Sequence, residues 1–126
     1  EGAGTAQDQA KSVEWIRKAA DKGSHDGQYQ LGRAYFYGYG VKQDMQEGLR
    51  LYRIASAKGN SMASWELGRC YEEGIGVAKD TSTARYLYEL GALLGDNTAE
   101  AMLINLNKKI THQAKPASSQ AATQTK

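Results

Sequence analysis

Two glycine loops are the first features of this sequence whose residue types and spacing could support chemistry. Gly38-Tyr39-Gly40 and Gly74-Ile75-Gly76 have the G-x-G spacing of loops whose backbone amides bind phosphate. A nucleotide-binding loop follows a β-strand and carries further glycines at fixed positions. Helical patterns precede both loops here, so we interpret them as turns and predict no nucleotide or other cofactor.

The histidines and the cysteine offer little to a metal or a covalent mechanism. His25 and His112 have no cysteine or carboxylate near them at the spacing of metal ligands. Cys70 is the single cysteine of the chain and stands at a small-residue position of a packing face. That position favours a buried, unreactive thiol over a nucleophile. No serine–histidine–aspartate or paired-carboxylate set is evident, so we predict neither a metal site nor enzymatic activity.

The distribution of charge and apolar residues argues against nucleic acid and membrane partners. Residues 1–107 contain 12 basic and 14 acidic side chains, and residues 108–126 contain four lysines and no acid. No basic stripe of the kind that binds nucleic acid is visible. No run approaches the ~18 apolar residues that span a bilayer. The composition therefore gives no support for a nucleic acid or membrane partner.

Both glycine loops belong to a longer repeat. Tyr35–Asp44 returns 36 residues later as Tyr71–Asp80, and residues 23–58 are identical to residues 59–94 at 11 of 36 positions. A fixed period of this size is typical of a solenoid, in which each unit buries its apolar face against its neighbours. The sequence therefore predicts an all-α fold of stacked helix pairs.

Glycines and capping residues mark where these helices end and begin. Glycine stops recur at Gly23, Gly59 and Gly95, and the N-caps that follow them are Ser24, Asn60 and Asp96. Asp44 with Glu47 fits a capping box. The helices predicted in this way span residues 8–22, 25–37, 45–58, 61–73, 81–94 and 97–109. Gly32 and Gly68 inside two of them suggest that a neighbouring helix or ring lies against bare backbone.

The helix pattern divides the chain into five parts. Residues 1–22 are the second half of a preceding unit, residues 23–58 and 59–94 are complete units, and residues 95–110 are a C-terminal capping helix. Residues 111–126 lack large apolar side chains and are predicted to be disordered.

The two ends of the repeat region differ. We expect Leu90, Leu93 and Leu94 to pack on residues 102–106 of the capping helix. The helix from residue 8 has no first-helix partner, so we expect an exposed apolar edge there. The chain is then a monomer or a part of a longer repeat array.

Aromatic residues that the repeat does not require are the best candidates for recognition. Phe36, Tyr37 and Tyr39 are replaced by glutamate or isoleucine in the next unit, and aromatic residues are enriched at binding hot spots. We predict that these three form part of a surface that binds a partner. The alternative is a partly exposed cluster that covers the joint between two helices.

Further candidates lie off the packing stripe of the first helices. Arg33 and Arg69 recur although packing does not require them, and Glu72 lies on the same face. They could hydrogen-bond a bound peptide, or the arginines could brace an acid of a neighbouring unit. Trp65 matches Tyr29 in the repeat, so its default interpretation is core packing, with a place on the binding face as the alternative.

The repeat resembles a known family. The pattern Ala63…Leu67-Gly68…Tyr71…Gly74-Ile75-Gly76-Val77…Asp80…Gly95 is similar to the Sel-one-like repeat, a relative of the tetratricopeptide repeat, over residues 1–107. Some positions depart from the family pattern. Leu51 and Leu87 stand where the family usually has the tryptophan seen at Trp15, and Gly48 replaces the usual alanine, which should loosen its helix. The lone Cys70 excludes the branch with paired cysteines.

The resemblance implies a right-handed α/α superhelix whose concave face binds other proteins. Members of this family serve as adaptors or scaffolds, and we expect that role here, with Arg33, Phe36, Trp65 and Arg69 on the concave face. The alternative is an inhibitor or immunity protein that blocks a toxic enzyme. The resemblance also favours a bacterial protein of the periplasm or a secreted one.

Overall fold

The chain folds as a stack of α-helices in this computed structural model, which describes the backbone of residues 6–124 and the side chains of residues 7–113. Within residues 6–124 the helices are α1 (Ala6–Asp21), α2 (His25–Tyr37), α3 (Met45–Ala57), α4 (Ser61–Glu73), α5 (Thr81–Leu93) and α6 (Asn97–Gln124). Each helix packs on the next one along the chain, and α4 also contacts α6. That part of the chain has no β-strand. The predicted all-α solenoid is confirmed, and α2 and α4 have the predicted bounds.

Short glycine joints connect α1 to α2, α3 to α4, and α5 to α6. Gly59, in the second of these joints, has a φ of 96°, a left-handed backbone that glycine adopts without steric cost. The side chain of Asn60 then accepts a hydrogen bond from the N–H of Ala63 at 2.8 Å. Ser24 and Asp96 cap their helices in the same way. The predicted helix stops and N-caps are confirmed.

Longer loops connect α2 to α3 and α4 to α5, and each folds back on its first helix. The N–H of Asp44 donates to the carbonyl of Tyr35 at 2.8 Å, and the equivalent pair of the next loop does the same. Asp44 also caps α3 by accepting from the N–H of Glu47 at 3.1 Å. The predicted capping box is only half formed, because the Glu47 carboxylate pairs with Arg50 at 2.6 Å.

Two glycines inside the first helices allow tyrosine rings to lie on the backbone. A Cβ atom on Gly68 would lie 2.7 Å from the ring of Tyr88, and one on Gly32 would lie 3.0 Å from the ring of Tyr52. Both distances are shorter than an ordinary van der Waals contact between carbon atoms, so a side chain at either position would have to displace the ring. The prediction of a ring against bare backbone is therefore confirmed at both positions.

Gly48, which we expected to loosen α3, has a packing role instead. A Cβ atom there would lie 2.8 Å from the carbonyl oxygen of Gly32 and 2.9 Å from the Cβ atom of Phe36. The missing side chain lets α2 and α3 approach each other closely, so the cost in helix propensity is offset by contact.

Three apolar clusters follow one another along the stack. The first joins α1, α2 and α3 around Leu31 and Leu51. The second joins α2, α3, α4 and α5 around Tyr52 and Leu67. The third joins α4, α5 and α6 around Tyr88. Because every cluster draws on at least three helices, each helix pair depends on its neighbours for burial.

α1, at the start of the stack, has the exposed apolar edge that we expected. Trp15 is 72% exposed, whereas Leu51 and Leu87 at the equivalent positions are buried. Leu51 lies beside Leu31 of the first helix of its own unit, and no helix within residues 6–124 holds that position beside α1. The Lys18 ammonium partly covers the Trp15 ring at 4.8 Å from its centroid.

α6 is longer than predicted. We placed its end at residue 109, but the helix continues past Pro116 to Gln124. The predicted disorder of residues 111–126 stays a prediction. Residues 125–126 lie outside the described part, as do residues 1–5 of the first predicted unit. Residues 114–124 combine alanine and glutamine, which favour helix, with serine, threonine and Pro116, which do not. The helix of α6 thus extends beyond the part that packs on the stack.

The contact between α5 and α6 also differs in detail. Leu93, Leu94 and Ile104 were expected to be part of it, but all three are exposed, Leu93 at 85%. α6 packs through Leu103 and Leu106, as expected, and also through Ile110, and these three residues lie on one stripe at helical spacing. Ile104 falls beside that stripe.

Candidate functional site

A groove lies where α1, α2 and α4 come together. It has a volume of about 620 Å³, within the range of ~300–1,000 Å³ typical of ligand sites. Its lining residues are Asp8, Gln9, Ser12, Val13, Ile16, Tyr29, Gln30, Arg33, Ala34, Tyr39 and Met62. We call it the α1–α2 groove. Apolar side chains from three helices and polar side chains from α1 and α2 share this groove, so it can accept a mixed apolar and polar ligand.

A buried carboxylate lies beside the α1–α2 groove. Glu66 in α4 is only 6% exposed, and the hydroxyl of Tyr29 donates to its Oε2 atom at 2.7 Å. The guanidinium groups of Arg33 and Arg69 lie 3.9 and 3.6 Å from its carboxylate oxygens. We call these four residues the Glu66 cluster. With two cations and one anion, the cluster has a net positive charge.

The hydrogen bond to Glu66 keeps Tyr29 a donor. Burial and the neighbouring carboxylate both raise the pKa of the Tyr29 phenol well above its ordinary value. The phenol therefore stays protonated at neutral pH. Its proton stabilises Glu66 at the inner end of the cluster, away from the exposed side of Arg33.

Two exposed tyrosines extend the cluster toward solvent. Arg69 donates to the hydroxyl of Tyr37 at 3.1 Å, and the ring of Tyr37 stacks on that of Tyr39 with centroids 5.6 Å apart. Both rings are exposed on one side. We call Tyr37 and Tyr39 the tyrosine pair. Because Tyr39 also lines the α1–α2 groove, the groove, the Glu66 cluster and the tyrosine pair form one continuous surface.

Glu72 belongs to a different polar contact, between α4, α5 and α6. It accepts hydrogen bonds from the Tyr88 hydroxyl at 2.7 Å and from the Lys109 ammonium at 2.8 Å. Burial pushes the pKa of Glu72 upward, but the hydrogen bonds from Lys109 and Tyr88 outweigh it and hold that pKa below its ordinary value. This contact fastens α6 to the stack.

The predicted site residues therefore separate into two groups. Arg33, Tyr37, Tyr39 and Arg69 come together on one surface. Phe36 does not: it is buried in the second apolar cluster, against the ring of Tyr52 at 5.7 Å. Its assignment to an exposed recognition surface was wrong. The equivalent residue of the next unit is Glu72, which accepts a hydrogen bond from Tyr88. Phe36 instead contacts the ring of Tyr52, the equivalent of Tyr88.

Trp65 and Glu72 lie away from the α1–α2 groove. Trp65 packs in the third apolar cluster near Met102 and Leu103, as its default interpretation had it. The open question about the arginines is also clearer, because both Arg33 and Arg69 reach Glu66. Arg33 thereby lies at ion-pair distance from an acid of the next unit.

Sequence reasoning left out Glu66, Tyr29 and Met62 as site residues. Glu66 offered a signal, since Gln30 and Met102 occupy the same position in the other units. A lone acid at a position that is otherwise uncharged, three residues before an arginine, can indicate an internal ion pair. Nothing in the sequence indicated that α1 would form one wall of the groove.

Cys70 and His25, which could in principle be reactive, lie in packing contacts and at a helix joint. Cys70 is buried, and its burial raises the pKa of the thiol to about 11, so it stays protonated. His25 lies 3.2 Å from the side-chain nitrogen of Asn60 at a glycine joint. Among residues whose side chains are described, no three His, Cys, Asp or Glu side chains meet in a group suited to a metal ion. No helix in that part of the chain is long and apolar enough to cross a membrane.

A protein-family model described as Sel1 repeat matches three consecutive segments, residues 1–24, 25–60 and 61–96. These bounds lie two residues beyond those of the three repeat segments predicted from the sequence. None of the curated proteins matches the chain.

Solved structures of this kind of repeat are similar as well. A Sel1 repeat protein from Oxalobacter formigenes is 32% identical with a TM-score of 0.73, over 75% of this chain and 39% of that one. The protective antigen c5321 of uropathogenic Escherichia coli, which displays an SLR fold, is 34% identical with a TM-score of 0.73, over 78% and 21%. Cysteine rich protein B of Helicobacter pylori is 28% identical with a TM-score of 0.69, over 74% and 70%. The chain thus spans less than half the length of the first two relatives.

Proposed function

Because this chain belongs to the Sel1 repeat family, whose repeats generally mediate contacts between proteins, we propose that it is an adaptor that binds a partner protein or peptide. The binding surface is the α1–α2 groove together with the tyrosine pair. The observation that carries the proposal is the continuity of this surface: exposed aromatic rings adjoin an arginine and a groove with apolar walls. Aromatic residues and arginine dominate binding hot spots.

The side chains of this surface are suited to contacts rather than to catalysis. The Sel1 repeat is a scaffold type of repeat, and the Glu66 carboxylate beside the groove is already engaged by Tyr29 and Arg69. We therefore assign the chain a binding role with no chemical step.

The proposal can be tested with two exposed tyrosines on different faces. The chain is used to capture partners from its source cells, in three forms: wild type, Tyr39→Ala and Tyr86→Ala. Tyr86 is a matched control, because it is an exposed tyrosine of α5 outside the groove. We expect Tyr39→Ala to weaken capture of a partner about tenfold, as is common for a hot-spot tyrosine, and Tyr86→Ala to leave it unchanged. Equal capture by Tyr39→Ala and wild type would place binding on another face.

The same capture distinguishes an adaptor from an inhibitor. Several partners, each held through the groove surface, support the adaptor. A single enzyme that binds in equal amount and loses its activity would support the alternative of an inhibitor or immunity protein.

A further inference from the structure

Arg33 has most of its hydrogen-bonding capacity unused. Its closest acid oxygen is that of Glu66, 3.9 Å from Nε, which is beyond hydrogen-bond distance. Glu66 is already engaged by the Tyr29 hydroxyl at 2.7 Å and by Arg69. A guanidinium group has five N–H donors, and the Arg33 side chain is 48% exposed. Among the described side chains, none approaches Arg33 closely enough to take up these donors.

The part of the α1–α2 groove beside Arg33 is apolar, and we call it the floor of the groove. Val13, Ile16 and Ala34 line the α1–α2 groove, and Met62 is exposed at its edge. The one acid of the groove lining is Asp8 in the first turn of α1, and it is already engaged within the chain. A ligand that fits this groove therefore needs an apolar part on the floor and a negative charge at Arg33.

We propose that the α1–α2 groove binds an acidic side chain of a partner peptide at the Arg33 guanidinium, with an adjacent large apolar residue on the floor formed by Val13, Ile16 and Met62. The inference rests on the proposed function and adds the chemistry of its partner. Arginine and carboxylate groups form paired, charge-assisted hydrogen bonds of good geometry. The groove volume of about 620 Å³ leaves room for more than one side chain.

A single carboxylate suits this surface better than a phosphate dianion. The Glu66 cluster has an excess of one positive charge, and the Glu66 carboxylate lies 3.9 Å from Arg33. A dianion would be repelled more strongly than a monoanion by Glu66 at short range and by Asp8 of the groove lining.

The test uses a synthetic peptide array as the probe. Immobilised peptides of the form acetyl-Gly-Ser-X-Z-Ser-Gly cover all pairs of amino acids at X and Z and are incubated with the full, labelled chain. We expect pairs of Asp or Glu with Leu, Ile, Met or Phe to bind about tenfold more strongly than the same pairs with Asn or Gln, since a charge-assisted bond is replaced by a neutral one. The signal should fall with added salt.

Arginine variants decide whether the acid preference belongs to Arg33. Arg33→Gln should abolish the preference, and Arg33→Lys should keep a weaker one because the charge remains and the fork is lost. Arg50→Gln is the matched control, an exposed arginine of α3 that pairs with Glu47 outside the groove. It should bind as wild type does. The melting temperature of each variant confirms that it is folded.

Three results would overturn the inference: an array with no acid preference, a preference that survives in Arg33→Gln, or binding no stronger than to the Gly-Ser background. Failure of the proposed function is a separate result. If Tyr39→Ala fails to reduce capture of the natural partner, the adaptor surface itself is wrong. If Tyr39→Ala reduces capture but the array shows no acid preference, the adaptor surface stands and the acidic partner does not.

Discussion

At the scale of residues, two tyrosines at equivalent positions have opposite polar surroundings. Tyr88 donates to the Glu72 carboxylate at 2.7 Å. The Tyr52 hydroxyl is buried and has no hydrogen-bond partner among the described residues. Position 36, which is equivalent to Glu72, holds Phe36, whose ring lies 5.7 Å from that of Tyr52. Tyr52 therefore has an aromatic contact where Tyr88 has a polar one, and its hydroxyl has no acceptor from this position.

We predict opposite effects when each hydroxyl is removed. Tyr52→Phe should leave the free energy of unfolding unchanged or raise it by up to ~1 kcal/mol, because an unsatisfied buried hydroxyl is removed. Tyr88→Phe should lower it by ~1.5–3 kcal/mol, the value of a hydrogen bond to a charged group. Urea unfolding of the two variants measures this difference. Equal losses of stability would show that Tyr52 has an acceptor after all.

Glu72 predicts a specific dependence of stability on pH. Its pKa is held below the ordinary value in the folded protein, so the ionised form stabilises the fold above the unfolded pKa, and this contribution is lost as the pH falls through the folded pKa. The stability difference between wild type and Glu72→Gln should be full near pH ~7 and should shrink below about pH 4.5. Urea unfolding across this range measures the difference. A difference that stays constant with pH would contradict the assignment.

The indole N–H of Trp65 lacks a hydrogen-bond acceptor for a similar reason. Tyr29, the equivalent residue, donates to Glu66, whereas the position equivalent to Glu66 in the next unit holds Met102. The Trp65 indole N–H is buried with no acceptor among the described residues. Two of the buried polar atoms without partners thus lie where one unit has an apolar residue at a position that holds an acid in another unit.

At the scale of elements, close packing of the helices within a pair depends on glycines that leave the backbone uncovered. Gly68 of α4 lies under the Tyr88 ring of α5, and that ring is fully buried and fixed by its bond to Glu72. A side chain at position 68 would have to displace the ring or separate the two helices.

Gly68→Ala and Gly59→Val test two different roles of glycine. In Gly68→Ala the gain in helix propensity of ~1 kcal/mol is outweighed by overpacking against Tyr88, at 2.7 Å from the new Cβ atom. We therefore expect the free energy of unfolding to fall by ~1–2 kcal/mol.

In Gly59→Val nothing lies within 4 Å of the new Cβ atom, but φ is 96°. Backbone strain alone should therefore lower the free energy of unfolding by at least ~1 kcal/mol.

A second substitution separates the steric effect at position 68 from the gain in helix propensity that alanine brings there. Gly68→Ala in a Tyr88→Ala background should stabilise relative to Tyr88→Ala alone, because the ring is gone and the propensity gain remains. Urea unfolding of the four proteins of this cycle gives the coupling. A coupling near zero would mean that the ring does not restrict position 68.

At the scale of the whole molecule, the loop of each unit rests on the second helix of the unit before it. A Cβ atom on Gly76 would lie 2.8 Å from the sulfur of Met45 and 2.9 Å from Leu49. The equivalent of Leu49 on α5 is Arg85, which is exposed. The α5 surface therefore lacks the apolar side chain that α3 offers to the next loop, and the corresponding residues continue α6 as a helix.

The stack should respond locally to a local defect. Val13→Ala removes buried apolar contact in the first cluster and should accelerate amide hydrogen exchange in α1 and α2, with little effect on α5 and α6, because contacts join only neighbouring units. Leu106→Ala in the third cluster should give the opposite pattern. Hydrogen exchange followed by mass spectrometry measures both. Uniform acceleration along the chain would show that the six described helices unfold as one unit.

By itself the sequence determined the helices, their caps and the order in which they stack. These features depend on short-range chemistry, such as glycine after a helix end at Gly59 or a capping side chain at Asn60, and the 36-residue repeat shows each signal more than once. The family followed from the same positions.

Only the tertiary structure decided which side chains meet. Phe36 was expected on the surface because the repeat does not require it, yet it is buried beside Tyr52, 16 residues away on another helix. Arg33 and Arg69 converge on Glu66, and α1 forms one wall of the groove. Such contacts depend on how far each helix is rotated and how closely it approaches its neighbours. Packing of the whole stack sets those two quantities, and no single helix sequence contains them.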